Sequence, residues 1–306
     1  MATRRVLVTG CSSGIGLAVA VRLAKDELQR FKVVATMRDV EKRAALETAA
    51  GETLGRSLEI HQLDVCCEDS IRECVNSLPG RRLDILVSNA GMGMIGPLEC
   101  QSVKCMQDVF NTNFFGLVRL VKEVLPDMKR RQSGHIVVMS SVMGIQGLLF
   151  NDVYAASKFA VEGLCESLAV QAMTFNIKMT LVEPGPVLTE FERKVYEDAQ
   201  NMDLSGTDDE TARIFREIYL PYSGKVFSSL GQRPEEVAEF AHRECYPWSN
   251  VYKAANIRAD CIKGSSVSSP DQSSVHAHDR HEARRPYRTP ASRRLLQDHL
   301  PARPSV

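Results

Sequence analysis

Six short apolar, β-branched runs alternate with stretches of helical spacing over the first 185 residues. They are RRVLVTG (4–10), KVVATMR (32–38), SLEIHQLDV (57–65), LDILVSNAG (83–91), HIVVMSS (135–141) and KMTLVEPG (178–185). Runs that are apolar throughout fit strands covered on both faces. Between them lie helical patterns at 14–29, 40–50, 69–78 and 102–130, and one more that carries NDVYAASKF (151–159). Strand–helix alternation at this spacing predicts right-handed βαβ units and an α/β fold with a doubly wound parallel sheet. Residues 186–232 are less regular, with a helix expected near 207–219. RPEEVAEFAHRE (233–244) starts as a helix should, with Pro234 in its first turn and glutamates after it.

The chain has 306 residues, enough for one large α/β domain or two small ones. The pattern places one domain over 1–245. After Cys245 the composition turns to Ser, Arg, His and Pro with no helical or strand period, and 246–306 reads as a disordered tail that buries too little to offset ordering. His276, His278 and His281 lie there, and without a rigid frame they read as solvated side chains and not as a metal site. Lys+Arg and Asp+Glu balance at 38 each, which argues against a nucleic-acid binder. Nine cysteines without a C-x-x-C pair read as reduced thiols on the cytosolic side. The N-terminus has no signal-peptide pattern and no run of 18 apolar residues occurs, so a soluble or peripherally membrane-associated protein is expected.

The first strand runs into Thr9-Gly10-Cys11-Ser12-Ser13-Gly14-Ile15-Gly16, which opens a helix. Glycines at such a turn let the backbone approach a pyrophosphate, and the helix N-terminus offers N–H donors. This is a Rossmann-type dinucleotide site in position, although its spacing is G-x-x-x-G-x-G. At the end of the second strand Met37 stands where an NAD site has a carboxylate, and Arg38 is placed to meet a 2′-phosphate. Ser12 could add a hydroxyl. The reading is NADP(H), with Asp39 as the counterargument if the register slips. Asp64 and Val65 close the third strand, and Asn89, Ala90 and Gly91 the fourth, at carboxyl ends where ligands bind in open sheets. Asp64 could bond adenine or neighbouring backbone. For Asn89, a structural turn role weighs as much as ligand contact.

Tyr154 and Lys158 are four apart and share a helix face. A free tyrosine, with a pKa of about 10, is only about 0.1% ionised at pH 7. A nearby cation lowers such a pKa by roughly 1–3 units. Tyr154 could then serve as acid toward a carbonyl or base toward an alcohol. Ser141, at the end of the fifth strand, could hold the substrate oxygen beside the phenol. Asn113 falls mid-helix, where asparagine is a poor helix former, and reads as holding a kink or a water.

Together, Thr9-Gly10-x-x-x-Gly14-x-Gly16, Asn89-Ala90-Gly91, Asn113, Ser141, Tyr154-x-x-x-Lys158 and Pro184-Gly185 resemble the short-chain dehydrogenase/reductase family over residues 4–240. The resemblance implies that Tyr154 is the acid/base and that Lys158 binds the nicotinamide ribose and depresses the tyrosine pKa. It implies that Ser141 orients the substrate, that Asn113 holds a water in a proton relay, and that Pro184, Gly185, Val187 and Thr189 meet the nicotinamide end. YLPYSGKVF (219–227) and PEEVAE (234–239) resemble the branch acting on retinoids and steroids. Tyr222 stands where steroid-acting members have a histidine, so the resemblance leans to reduction of all-trans-retinal, with Tyr222 on the substrate. A steroid dehydrogenase is the alternative, and a non-catalytic NADP-binding isoform is another. Homodimers are common in this family, and peripheral membrane contact fits the branch. Past residue 240 the chain departs from the family: its seventh strand and the last elements of the pocket are expected to be missing.

Overall fold

A computed structural model describes residues 3–245 and the pair 253–254. They belong to one compact unit, Met1–Lys263. The expected disordered tail, with His276, His278 and His281, otherwise lies outside the described residues. The strands are β1 (Arg4–Val8), β2 (Phe31–Met37), β3 (Leu58–Gln62), β4 (Ile85–Ser88), β5 (Gly134–Met139), β6 (Ile177–Val182) and β7 (Lys253–Ala254). They form one sheet in the order β3-β2-β1-β4-β5-β6-β7, with every neighbouring pair parallel. The doubly wound α/β expectation is met. The expectation that the seventh strand is absent is corrected: Lys253 and Ala254 pair with Leu181 and Val182. That short pairing covers part of the β6 edge, which would otherwise present open N–H and C=O groups.

Period-two alternation assigns each strand residue to one of two cores. Val6, Val8, Ile85 and Val87 face helices α1 (Gly14–Ala24), α2 (Ala44–Ala50) and the last helix. Leu7, Leu86, Ile136 and Val138 face α3 (Glu68–Ser77), the long helix after β4, and the helix after β5. The pattern expected at 102–130 is broken. It consists of α4 (Val103–Phe110), a wide π-type turn at Asn111–Phe115, and α5 (Gly116–Arg131). The helix after β5 is α6 (Asp152–Met173).

The region 186–232 is more helical than expected. It holds α7 (Glu190–Gln200), α8 (Asp209–Arg213), a second π-type turn at Ile214–Tyr219, and α9 (Leu220–Leu230). Its helices carry charged outer faces, and α7 turns an apolar stripe of Val195, Tyr196 and Ala199 inward. They are held by a third, small core in which Phe150, Phe215 and Tyr219 meet at ring distances of 5.0–5.8 Å. α10 (Pro234–Glu244) then packs on α1. Buried His242 Nε2 lies 3.0 Å from Asp26 Oδ1, and Arg30 Nε donates to Asp26 at 2.8 Å. Asp26 also accepts from the Arg30 amide, which ends α1 short of the expected residue 29. Ala241 and Cys245, at the point where the resemblance fades, are fully buried.

The turn from β1 into α1 explains two of the glycines. Gly10 has φ +72°, a left-handed conformation that glycine adopts at no steric cost. A methyl on Gly16 would lie 2.3 Å from the Gly10 carbonyl oxygen and 2.4 Å from Asn89 Nδ2. Gly16→Ala is therefore expected to lose about 1–3 kcal/mol of stability, read as a lower melting temperature by circular dichroism. An unchanged melting curve would mean that the turn has room to shift.

Candidate active site

The strand order reverses between β1 and β4, and the carboxyl ends of these two strands open a crevice. Thr9 is fully buried there, and its Oγ1 accepts from the Asn89 amide at 3.0 Å and the Ala90 amide at 3.1 Å. Asn89 Nδ2 donates to the Thr9 carbonyl at 2.9 Å and the Gly10 carbonyl at 3.3 Å. The side chain of Asn89 thus clamps the glycine loop, the structural alternative of its two readings. Cys11 is buried and donates to the Val8 carbonyl at 3.2 Å, and burial pushes its thiol up to about 12. Ser12, Ser13, Gly14 and Ile15 are partly exposed at the crevice. Ser13 precedes α1 without a side-chain capping bond, and the first turn of α1 holds no acid. A helix start lacking a side-chain cap, beside glycines that admit no Cβ, fits an approaching pyrophosphate.

Arg38 follows β2 directly and is exposed, while Met37 before it is buried. Asp39 is engaged by its own turn: its Oδ1 accepts from the Glu41 amide at 3.1 Å. Asp39 thus caps the turn after β2, and both it and Arg38 are exposed. Asp64 Oδ1 accepts from the Cys66 amide at 2.8 Å, the neighbouring-backbone alternative. Val65 is buried against Gly116.

Asn113 sits in the π-type turn between α4 and α5 and is buried. Single wide turns of this kind re-aim side chains inside a helix. The Asn113 Oδ1 accepts from the Met92 amide at 2.7 Å. Its Nδ2 donates to the Met92 carbonyl at 2.9 Å and to Ser157 Oγ at 2.9 Å. Both amide hydrogens are therefore committed to protein. The side chain ties the segment after Gly91 to α6, and the expected kink is present.

Ser157 Oγ in turn donates to the Tyr154 carbonyl at 2.7 Å, so Asn113 reaches the backbone of Tyr154 through one hydroxyl. Tyr154 is part-buried on α6, and Ser141 lies close enough to its hydroxyl to lower the phenol pKa. Ser141 caps the turn after β5, accepting from the Met143 amide at 3.2 Å. Lys158 is 6% exposed, and its Nζ donates to the Met139 carbonyl at 2.9 Å and lies 5.7 Å from the Tyr154 ring centre. Burial lowers the Lys158 ammonium to about 8, opposed by the Glu162 charge. The Tyr154 phenol is pushed up by burial and by Glu192, and nearby Ser141 works the other way. The expected depression of Tyr154 by Lys158 is thus overridden: burial disfavours phenolate, and a carboxylate adds to it.

Thr189 caps α7, its Oγ1 accepting from the Glu192 amide at 3.2 Å, and its methyl faces Gly14 of the loop. Pro184 accepts from the Val142 amide at 3.0 Å, and Val187 pairs with Gln232, so the stretch Pro184, Gly185, Pro186 and Val187 lies between the Ser141 turn and the start of α10. Phe191 brings α7 to 6.5 Å from the Tyr154 ring. Tyr222 is 42% exposed on α9. The tyrosine of that region tied to the start of α6 is Tyr219, whose Oη accepts from Asn151 Nδ2 at 2.7 Å. Sequence reasoning missed Tyr219, Ser157, Glu162 and Glu192. Of these, Glu162 had a visible signal, a carboxylate four residues after Lys158.

Residues 4–200 match the family model described as short chain dehydrogenase. Retinol dehydrogenase 8 of Bos taurus and that of Homo sapiens are each 59% identical over 238 residues, covering 78% of this chain and 76% of theirs. The 17-beta-hydroxysteroid dehydrogenase type 1 of Homo sapiens is 48% identical over 241 residues, covering 78% of this chain and 73% of its own. Among solved structures, an actinorhodin polyketide ketoreductase with NADPH superposes with a TM-score of 0.69 at 29% identity, covering 83% of this chain and 96% of its own. With the loop, the serine, the tyrosine and the lysine gathered at one end of the sheet, the chain belongs to the short-chain dehydrogenase family of oxidoreductases.

Proposed function

We propose that this protein is an NADP(H)-dependent carbonyl reductase that converts all-trans-retinal to all-trans-retinol. The observation that carries the chemistry is Ser141 beside the Tyr154 phenol, close enough to lower its pKa, set one helical turn from a buried Lys158. Tyr154 and Ser141 would hold a substrate carbonyl oxygen between them, and Tyr154 would pass its proton to that oxygen as negative charge develops. A bound reduced nicotinamide would supply the hydride. Lys158, lowered only to about 8, keeps its ammonium form in roughly tenfold excess at pH 7. The phenol, held protonated by burial and Glu192, is in the form that reduction consumes. Alcohol oxidation needs the opposite form, so the electrostatics favour reduction.

Exposed Arg38 directly after β2, with Asp39 Oδ1 engaged as a cap, supports the phosphorylated cofactor over NAD. The 59% identity to retinol dehydrogenase 8 supports a retinoid substrate, and the 48% identity to the human steroid enzyme supports estrone as the second reading. Among the described residues no helix is long and apolar enough to cross a membrane. Exposed Leu188, Ile218 and Tyr222 are the side chains we assign to peripheral membrane contact. Exposed Val103 and Phe115, with Met106 and Phe110 between them, form the face we assign to a second copy of the chain.

The proposal is tested by mixing purified protein, NADPH and all-trans-retinal or estrone and following loss of reduced-cofactor absorbance. Turnover on retinal that falls about 10²–10⁴-fold in Tyr154→Phe is expected. Cofactor binding without turnover on either carbonyl would identify a non-catalytic isoform instead. Arg38→Ala should weaken NADPH binding by roughly 10–100-fold, the worth of one charge-assisted hydrogen-bond set, and leave NADH nearly unchanged. For the reverse reaction, Glu192→Gln removes a charge that raises the Tyr154 pKa, so the rising limb of alcohol oxidation against pH should move to lower pH. A limb that stays in place would show that Glu192 does not act on Tyr154.

A further inference from the structure

Lys158 is a charged group in a poor place for charge. Its side chain is 6% exposed, and the protein partner shown for its ammonium is one main-chain carbonyl, that of Met139. An ammonium buried on so little support loses its proton readily unless an opposite charge stands near. One turn further along α6, Glu162 is 5% exposed. Residues four apart on a helix share a face, and a helical side chain leans back over the preceding turn, so Glu162 reaches toward the Lys158 level. Its surroundings on the other side are also defined. A methyl on Gly144 would lie 2.9 Å from Glu162 Cγ, 3.2 Å from Glu162 Oε1 and 2.8 Å from Ser140 Oγ. Glu162 therefore packs, beside Ser140, against Gly144 at the end of the turn that Ser141 caps.

We propose that Glu162 is a positioning residue for this site: its buried carboxylate keeps Lys158 charged and braces the Ser141 turn against α6. The inference rests on the reading of Lys158 as a working member of the site, and it concerns the charge of that lysine. The groups facing Lys158 define what can compete with Glu162. From α6 these are Tyr154 and Cys165, and the thiol adds a smaller raising effect than Glu162. From the end of β5 it is the Met139 carbonyl. Glu183, just beyond β6, is the other buried carboxylate of this layer. Glu162 alone lies both one turn from the lysine and against the turn that bears the serine.

The test reads the lysine directly. The Lys158 ¹³Cε resonance of the full chain, labelled with ¹³C-lysine and assigned by its loss in Lys158→Met, is titrated between pH 6 and about 11, spanning the usual lysine range. The wild type should show a midpoint near 8. Glu162→Gln, which keeps the shape and removes the charge, should lower that midpoint by roughly one pH unit or more. The alkaline limb of kcat/KM for carbonyl reduction should move down with it, since that parameter reports the free enzyme. Glu162→Asp retracts the same charge by one methylene and should give a smaller downward shift, and it serves as the test if Glu162→Gln does not fold. Equal midpoints in wild type and the folded variants overturn the inference, whatever happens to the rate. A shifted midpoint in a protein that turns over neither retinal nor estrone leaves the inference standing and defeats the proposed function.

Discussion

The hydrogen bonds between Thr9 and Asn89 are the constraint on which the site depends. Where β1 and β4 diverge, the sheet ladder can no longer satisfy the ends of both strands. Thr9 Oγ1 takes the amides of Asn89 and Ala90, and Asn89 Nδ2 takes the carbonyls of Thr9 and Gly10. Each group is buried or half-buried, so each unmade bond would cost on the order of 1–3 kcal/mol. The exchange fixes the loop so closely that Gly16 has no room for a methyl. It also fixes where the chain leaves β4. From there the connection continues: Met92, just past Gly91, bonds Asn113, Asn113 bonds Ser157, and Ser157 bonds the backbone of Tyr154. One run of chain and hydrogen bonds thus spans from the glycine loop to the tyrosine.

That connectivity also bears on what Asn113 does. A buried amide with both N–H groups donated to protein is a structural tie, and it sits in a turn that departs from the α-helix to reach its partners. The wide turn loses regular helical hydrogen bonding locally, and the three side-chain bonds of Asn113 offset that loss. The asparagine and the irregular turn therefore explain each other. Replacing the asparagine by a better helix former would remove the reason for the turn and leave the Met92 backbone without its partners.

The sheet and its covering helices were legible because their signals are local. Leu7 between Val6 and Val8, or Leu86 between Ile85 and Val87, reads as a two-sided buried strand without any tertiary knowledge. The loop, Ser141, Tyr154 and Lys158 were legible for a related reason, since each lies at a strand end or a fixed helical offset. What was missed depends on partners distant in sequence. α7 and α9 meet Phe150, Phe215 and Tyr219 in the small core through Val195, Tyr196, Ala199 and Leu220. β7 is two residues long and owes its place to the edge of β6. Glu192 and Tyr154 are 38 positions apart, so no spacing rule joins them. Tyr219 bonds Asn151 at the start of α6, 68 positions away, which no spacing rule shows.

Two carboxylates act on the two proton-bearing groups of the site, and they act in the same sense. Burial alone pulls Tyr154 and Lys158 in opposite directions: it makes the phenol hold its proton and makes the ammonium lose it. Glu192 adds to burial at the tyrosine, and Glu162 opposes burial at the lysine. Both effects favour the protonated form. Glu192 itself, raised to about 7 by burial, gains its charge near neutrality, so its hold on the phenol strengthens as the solution becomes more alkaline. Lys158 moves the other way, since above about 8 it is losing its proton. In the proposed reaction the tyrosine therefore keeps its proton across the range in which the lysine surrenders its own. The alkaline limit of carbonyl reduction then belongs to the lysine, although the tyrosine delivers the proton.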